Sequence, residues 1–320
     1  MLEYILFVIG IILLLKGADY LVGGSSSLAK KFGIPTLVIG LTIVAFGTSM
    51  PELVVNVIAA LKGNSAIAFG NIVGSNIANI LLILGITAII VPIKVQHSTT
   101  WKEIPFSLLA ATVMLILSSA FYLDNITKNI LSKSDGLILL MFFAIFLYYI
   151  FGLTRKGKDE PKNKDIQIEK LSTLKISVYI IGGLIALYFG GNWTVEGAIA
   201  IARLFGMSEY FISLTIIAIG TSLPELVTSI IATKKGDPDL AVGNAIGSNI
   251  FNIFWVLGIS TLITPILIPK FAIIDLGVLL LANIGLFIFM FSGVKYKLDR
   301  WEGVLFVLMY VAYIIYLIIR

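Results

Sequence analysis

The sequence predicts an all-α polytopic membrane protein with ten transmembrane helices in two inverted five-helix repeats. Three observations lead to this fold class. The 320-residue chain is 58% apolar and only 13% charged, with a mean hydropathy of +1.03, which a water-soluble domain does not sustain. The apolar residues fall in blocks of about twenty, the length that crosses a hydrocarbon core. The two halves of the chain also repeat one another.

Ten apolar segments are long enough to span a membrane. The first contains Glu3 where a secretory signal would be basic, and it has no clear cleavage site, so we expect it to remain in the mature protein. The predicted spans are residues 2–24, 35–61, 66–92, 104–122, 136–153, 174–202, 208–233, 239–267, 271–292 and 302–319.

A polar stretch divides these spans into two sets of five. Thr154–Lys170 reads TRKGKDEPKNKDIQIEK, which is rich in charge and poor in apolar residues, as is typical of a solvated linker. We therefore predict a first five-helix repeat over residues 1–153, a cytoplasmic linker over 154–173 and a second, inverted repeat over 174–320.

The two sets match at a constant offset. Glu52 and Glu225 lie 173 positions apart, and no gap is needed to extend the match. The same offset relates Gly17 to Gly190, Gly33 to Gly206, Ala45 to Ala218, Asn79 to Asn252 and Pro92 to Pro265. This regularity indicates an internal duplication of a five-helix unit.

The loops predict the orientation. Because five is odd, the second unit enters the membrane from the opposite face. If both termini are extracellular, 16 of the 23 Lys and Arg residues lie in cytoplasmic loops and 6 lie on the other side. The positive-inside rule therefore favours extracellular termini and a cytoplasmic central linker. Inverted repeats are a transporter architecture, whose site is expected where the repeats meet near the midplane.

Two polar motifs occur once in each half. The first reads GTSMPEL at 47–53 and GTSLPEL at 220–226, and the second reads GNIVGSNIANI at 70–80 and GNAIGSNIFNI at 243–253. Both put oxygen-bearing side chains near the centre of a span, where an unpaired polar group is costly. Ser75 and Asn79 are four residues apart and so share one helix face.

A purely structural reading of the first motif stays open at this point. Ser49-Met-Pro-Glu52 fits a capping box with proline near the first helical position. The glutamate could then only cap a broken helix. The two readings are compatible, because a break within a span also frees backbone carbonyls that lipid cannot satisfy.

The available ligands favour a hard cation. Carboxylate, hydroxyl, amide and carbonyl oxygens make an all-oxygen site, which suits calcium or several sodium ions. The chain has no cysteine, and its only histidine, His97, falls in a predicted surface loop. Although the net charge is +5, the basic residues occupy short loops between apolar spans, which excludes a nucleic-acid surface.

At these residues the sequence resembles the calcium/cation antiporter superfamily, specifically its prokaryotic sodium/calcium exchanger branch. The resemblance rests on both copies of G-T-S-x-P-E and G-N-x-x-G-S-N, and the segment KGADYLVGGSSSLAKKFG is similar to that family's first helix. It implies that spans 2, 3, 7 and 8 form a core around the ions. It also implies that spans 1 and 6 slide across this core to open one side at a time.

The resemblance further implies a set of site residues. Glu52 and Glu225 would be the central calcium ligands, together with the backbone carbonyls of Thr48 and Thr221. The residues expected to line the flanking sodium sites are Ala45, Ser49, Ser75, Ala218, Ser222 and Ser248, and Asn79 and Asn252 would complete the middle of the pocket. Many relatives carry an aspartate at one of the last two positions, so this pocket has two carboxylates rather than three.

The function expected from this resemblance is an electrogenic, potassium-independent exchange of sodium for calcium across a prokaryotic plasma membrane. The protein would be neither an enzyme nor a cofactor protein, and its partners would be calcium, sodium and the lipid bilayer, with no obligatory protein partner. One alternative is a proton/calcium exchanger, whose G-N-x-x-E motif differs from G-T-S-x-P-E. A cation channel is a second alternative, but a channel pore is usually lined by several subunits.

Overall fold

A computed structural model of the protein describes residues 2–119, 129–156, 171–205, 218–269 and 271–319. Within these ranges, eight helices are long and apolar enough to cross a membrane, and a helix pair bent by 46° brings the number to nine if the pair is one broken span. The expected helical, multi-span membrane protein is therefore confirmed at this level. Of the seventh predicted span, 208–233, residues 208–217 lie outside the described ranges.

The first half contains the elements α1 (Leu2–Phe32), α2 (Thr36–Ile39), the π-helix π1 (Gly40–Val44), α3 (Ala45–Thr48), α4 (Met50–Leu61), α5 (Ser65–Ile77), π2 (Ala78–Leu84), α6 (Gly85–Ile90), β1 (Ile93–Lys94), α7 (His97–Trp101), α8 (Glu103–Ser118), β2 (Ile130–Leu131) and α9 (Lys133–Lys156). Several predicted spans thus consist of consecutive helical segments. In the span from Ile67 to Ile90, for example, α5, π2 and α6 follow one another without a loop.

The second half contains α10 (Thr173–Leu204), α11 (Ala218–Thr221), α12 (Leu223–Lys234), α13 (Pro238–Ile250), π3 (Phe251–Leu257), α14 (Gly258–Ile263), β3 (Ile266–Leu267), α15 (Ala272–Phe289), β4 (Lys297–Leu298) and α16 (Arg300–Ile319). Several of these elements repeat the first half at the offset of 173. Strand β3 corresponds to β1 in this way, and π3 corresponds to π2.

Helix α1 continues eight residues beyond its predicted end at residue 24. Ser25, Ser26 and Ser27 are buried against neighbouring helices, so the polar sequence stays helical. The helix ends where Gly33 adopts a φ of +66°, a left-handed conformation that favours glycine after a helix. Lys31 lies in the last turn, where a cation complements the helix dipole.

The sequence did not predict the π-helical segments or the four short strands. Strand β1 pairs with β4 and β2 pairs with β3, both antiparallel. Each of the two sheets therefore contains one strand from each half of the chain. Distortions of the π-helical kind occur frequently at functional sites.

The equivalent long helices α1 and α10 pack closely against each other in antiparallel directions. A Cβ atom added at Gly10 would lie 2.9 Å from the carbonyl oxygen of Gly190, and one added at Gly183 would lie 2.8 Å from that of Gly17. Residue numbers therefore rise along one helix as they fall along the other. Only glycine permits this backbone separation, because a methyl group at either position would overlap the partner helix.

Helix α13 is almost completely buried. Every residue from Leu240 to Ile250 is buried. Its glycines face the broken span of the first half: a Cβ atom at Gly243 would lie 2.7 Å from the Leu37 carbonyl oxygen. Asp237 caps the helix, since its side chain accepts a hydrogen bond from the Leu240 N–H. The G-N-x-x-G-S-N motif thus packs against the helical segments that precede the other half's G-T-S-x-P-E motif.

Candidate cation-binding site

Each G-T-S-x-P-E motif interrupts a helix at its serine. Ser49 separates α3 from α4 with φ −84° and ψ 7°, and Ser222 separates α11 from α12 with φ −91° and ψ 6°. The following proline has no N–H to give to the preceding turn, which favours a break here. Both serines occupy helix N-cap positions, but neither side chain makes a capping hydrogen bond. The serine therefore does not form its part of the predicted capping box in either half.

The two glutamates are buried and held by the same pattern of hydroxyl donors. Glu52 is 0% exposed and Glu225 is 1% exposed. Ser75 Oγ donates to Glu52 Oε1 over 3.5 Å, and Ser248 Oγ donates to Glu225 Oε1 over 3.4 Å. In each half the serine follows its glutamate by 23 positions. The duplicated sequence thus produces duplicated side-chain contacts around two carboxylates.

Other contacts cross between the halves. Ser49 Oγ donates to Glu225 Oε1 over 3.1 Å. Thr48 Oγ1 donates to Asn244 Oδ1 over 3.0 Å, and in the opposite sense Thr221 Oγ1 donates to Asn71 Oδ1 over 3.5 Å. The residues of each first motif therefore bond to side chains of the other half. This brings the four motif copies together around one buried location.

Several oxygen atoms at this location have no hydrogen-bond partner among the described residues. Both glutamates use Oε1 and leave Oε2 without a donor. Asn79 donates through Nδ2 to Asn249 Oδ1 over 3.0 Å, so its own Oδ1 stays free. A buried, unpaired polar atom destabilises a protein by about 1–3 kcal/mol, and more when it is charged. Buried oxygens without a hydrogen-bond donor are atoms to which a cation could bind.

The remaining predicted residues lie as follows. Asn79 and Asn252 are the second residues of π2 and π3 and are buried. Ala45, the first residue of α3, is also buried, as is Ser222, whose Oγ has no partner in the described structure. Ala218 is the first residue of α11, and its side chain lies outside the described parts. His97 is exposed as predicted, although it begins the short helix α7 instead of lying in a loop.

The sequence reasoning missed a second layer of buried polar residues. Asn71 and Asn244 accept hydrogen bonds from Thr221 and Thr48, respectively. Both asparagines belong to the G-N-x-x-G-S-N motif, but only residues later in that motif are among the predicted site residues. Asn56 and Ser229 lie behind them. The 173-residue offset relates Asn56 to Ser229 as well, so the repeat in the sequence could have identified these two positions as an equivalent polar pair.

The chain is similar to several known proteins over nearly its whole length. The family described as "Sodium/calcium exchanger protein" matches residues 2–152 and 175–319. The chain is 39% identical over 315 residues to the putative antiporter CaxA of Alkalimonas amylolytica, with 97% of this chain and 96% of that protein covered. It is 31% identical over 344 residues to the sodium/calcium exchanger MaX1 of Methanosarcina acetivorans, with 98% of each covered. A solved structure of the sodium-calcium exchanger NCX_Mj superposes with a TM-score of 0.81 at 33% identity, covering 98% of this chain and 97% of that one.

Proposed function

The chain belongs to the sodium/calcium exchanger family, and we propose that it is a secondary active antiporter that exchanges sodium for calcium by alternating access. We propose no enzymatic reaction and no cofactor, because the ions are the transported substrates. The proposed partners of the protein are these ions and the lipid bilayer that surrounds it.

The observation that carries the proposal is the pair of buried carboxylates, one from each half. Glu52 and Glu225 each keep one oxygen free of hydrogen bonds among the described residues. With both groups ionised, the formal charge of the pocket is −2, which one calcium ion neutralises. Calcium accepts six to eight oxygen ligands, including carboxylates, carbonyls and amides. Two carboxylates and the surrounding neutral oxygens are consistent with that preference.

In this proposal the two glutamates bind calcium together with the Thr48 and Thr221 backbone carbonyls. The residues proposed to line the flanking sodium sites are Ala45, Ser49, Ser75, Ala218, Ser222 and Ser248, and Asn79 and Asn252 complete the middle of the pocket. The hydrogen bond from Asn79 to Asn249 supports this role for Asn79, because it uses the amide Nδ2 and leaves Oδ1 available to accept a cation.

We further propose ten transmembrane helices in two inverted repeats, residues 1–153 and 174–320, joined by the linker 154–173. The antiparallel packing of α1 and α10 supports the inversion, because equivalent helices of inverted repeats run in opposite directions. Alternating access would then move α1 and α10 across the core that carries the four motifs. The close contact between these two helices favours their movement as one unit.

The proposed location is a prokaryotic plasma membrane, with extracellular termini and a cytoplasmic linker. The charge bias of the loops supports this orientation, and the bacterial and archaeal relatives fit a prokaryotic source.

The coupling prediction follows from the two carboxylates. One calcium ion makes the pocket neutral, whereas three sodium ions, the number the family resemblance implies, would leave one positive charge. Each cycle would move one net charge, so exchange should respond to voltage. Moving that charge through 100 mV changes the free energy by about 2.3 kcal/mol. Potassium should not be needed, because Asn252 supplies an oxygen without the charge of an aspartate.

Calcium uptake into proteoliposomes tests the proposal. A sodium gradient should drive uptake in potassium-free buffer, and an imposed potential, set with an ionophore for an ion other than potassium, should change its rate. Uptake driven equally by a proton gradient alone would favour the proton/calcium alternative. Uptake that continues without any countertransported ion would favour a channel. A requirement for potassium would mean that the role given to Asn252 is wrong.

A further inference from the structure

A chain of hydrogen bonds leads from α5 to a threonine of the other half. Asn56 Nδ2 donates to the Ala68 carbonyl oxygen over 2.9 Å. Asn71 Nδ2 then donates to Asn56 Oδ1 over 2.7 Å. Finally, Thr221 Oγ1 donates to Asn71 Oδ1 over 3.5 Å. We refer to Asn56, Asn71 and Thr221 as the first relay.

An equivalent chain leads from α13 to the opposite threonine. Ser229 Oγ donates to the Ala241 carbonyl oxygen over 3.5 Å, and Asn244 Nδ2 donates to Ser229 Oγ over 3.1 Å. Thr48 Oγ1 donates to Asn244 Oδ1 over 3.0 Å. Each member is related to a member of the first relay by the offset of 173. Ser229, Asn244 and Thr48 are therefore the second relay.

The chemistry of the groups fixes the direction of both relays. A backbone carbonyl can only accept, so the side chain next to it must donate. That side chain must then accept from the asparagine Nδ2, which leaves the asparagine Oδ1 facing the threonine. An amide oxygen can only accept, so the threonine hydroxyl must be the donor. In the second relay the Asn244 Nδ2 also donates to the Glu225 backbone oxygen over 3.3 Å, which reinforces this orientation.

The threonine at the end of each relay stands at a weak point of the backbone. Thr48 is the last residue of α3, directly before the 46° bend at Ser49. Pro51 has no N–H, so the Gly47 carbonyl oxygen lacks its helical donor at this break, although the Ser49 N–H still bonds to the Ala45 oxygen. The side-chain bond to Asn244 is therefore an additional constraint on the direction of the Thr48 peptide. Thr221 occupies the equivalent position in α11.

We infer that Asn71 and Asn244 are positioning residues of the cation site, each of which accepts the hydroxyl proton of the opposite half's threonine and so orients that threonine's backbone carbonyl toward calcium. The inference rests on the proposed function, which assigns those carbonyls to calcium. Neither asparagine is expected to touch the ion. Each acts across the contact between the halves, so each half orients a ligand of the other.

A double-mutant cycle on calcium affinity tests the inference. Asn244→Ala and Thr48→Val each remove one side of the same bond, and each should weaken calcium binding about tenfold, the equivalent of one hydrogen bond. The double variant should also be about tenfold weaker, because the bond can be lost only once. Asn71→Ala combined with Thr48→Val removes two separate relays, so the losses should multiply to about 100-fold. Thr48→Ser keeps the hydroxyl and should therefore bind calcium more tightly than Thr48→Val.

Asn283→Ala provides a matched control for general destabilisation. Asn283 is buried, donates to the Leu279 carbonyl oxygen and accepts from Ser107 Oγ over 2.8 Å, as a relay asparagine does, but lies in α15. This variant should lower the melting temperature without changing the calcium Kd. If Asn244→Ala does not fold, the cycle of Asn71→Ala and Thr221→Val gives the same test on the first relay.

The inference is overturned if the double variant of Asn244→Ala and Thr48→Val loses calcium affinity by the product of the two single losses. It is also overturned if folded Asn244→Ala and Asn71→Ala bind calcium with an unchanged Kd. Binding is measured on purified protein with calcium alone. A wild-type protein that binds no calcium would instead refute the proposed function, so the two failures are distinguishable.

Discussion

Replacing Glu225 with glutamine isolates the charge at the centre of the candidate site. Glu225 Oε1 accepts hydrogen bonds from Ser49 and Ser248, and Oε2 has no donor among the described residues. The glutamine side chain is nearly isosteric, and its oxygen can keep both hydroxyl bonds. Its Nε2 then replaces Oε2. The substitution therefore removes one negative charge and puts an N–H where we propose the cation.

The expected loss is large because the charge is buried. Two unit charges 4 Å apart interact by about 4 kcal/mol at an effective dielectric constant near 20, and the double charge of calcium raises this to about 8 kcal/mol. The remaining carboxylate and the neutral oxygens still bind the ion, so we expect only part of this loss. A loss of about 2.7 kcal/mol is already 100-fold in affinity. We therefore predict that Glu225→Gln weakens calcium binding at least 100-fold and abolishes exchange at micromolar calcium.

The assay compares sodium-driven calcium uptake by purified variants in proteoliposomes over a range of calcium concentrations. Glu52→Gln should behave like Glu225→Gln, because its free Oε2 is equivalent. Glu103→Gln is the matched control: Glu103 is also buried within a span, but it accepts a hydrogen bond from Tyr149 and lies outside the motifs. It should retain exchange. Near-normal uptake by folded Glu225→Gln would refute the assignment of the carboxylates.

Two further predictions concern stability. Gly183→Ala should lower the free energy of unfolding by about 1–3 kcal/mol, as overpacking does, because the new methyl group would lie 2.8 Å from both the Gly17 carbonyl oxygen and the Leu21 nitrogen. Gly182→Ala meets nothing within 4 Å and should not lower the melting temperature, since alanine favours a helix more than glycine does. Equal melting temperatures for the two variants would contradict the packing argument. Burial raises the pKa of Asp237 above its ordinary value of 3.8, against the opposing hydrogen bonds from Thr36 and Ser26. The folded protein thus holds this proton more tightly than the unfolded chain, so stability should fall as the pH rises from 3.8 through the raised pKa. Asp237→Asn should make the melting temperature less dependent on pH in this window, and an unchanged profile would contradict the prediction.

The amino-acid sequence alone determined the class of fold and the location of the polar motifs. Apolar length predicts a membrane span because the bilayer has a fixed thickness, and the constant offset of 173 residues identifies equivalent positions without any structure. Glu52 and Glu225 could be paired in this way before their surroundings were known. The helix breaks were also predictable, since Pro51 and Pro224 lack the N–H that a continuous helix needs.

Only the tertiary structure decided which side chains meet. Ser49 could equally have capped its own helix, but its hydroxyl bonds to Glu225, which is 176 positions away. Local sequence carries no information about such a distant acceptor, because its position depends on how the halves pack. The π-helical segments at Asn79 and Asn252 likewise became known only from the structure. The relays behind the threonines became visible for the same reason: their members are distant in sequence and are brought together by the contact between the two halves.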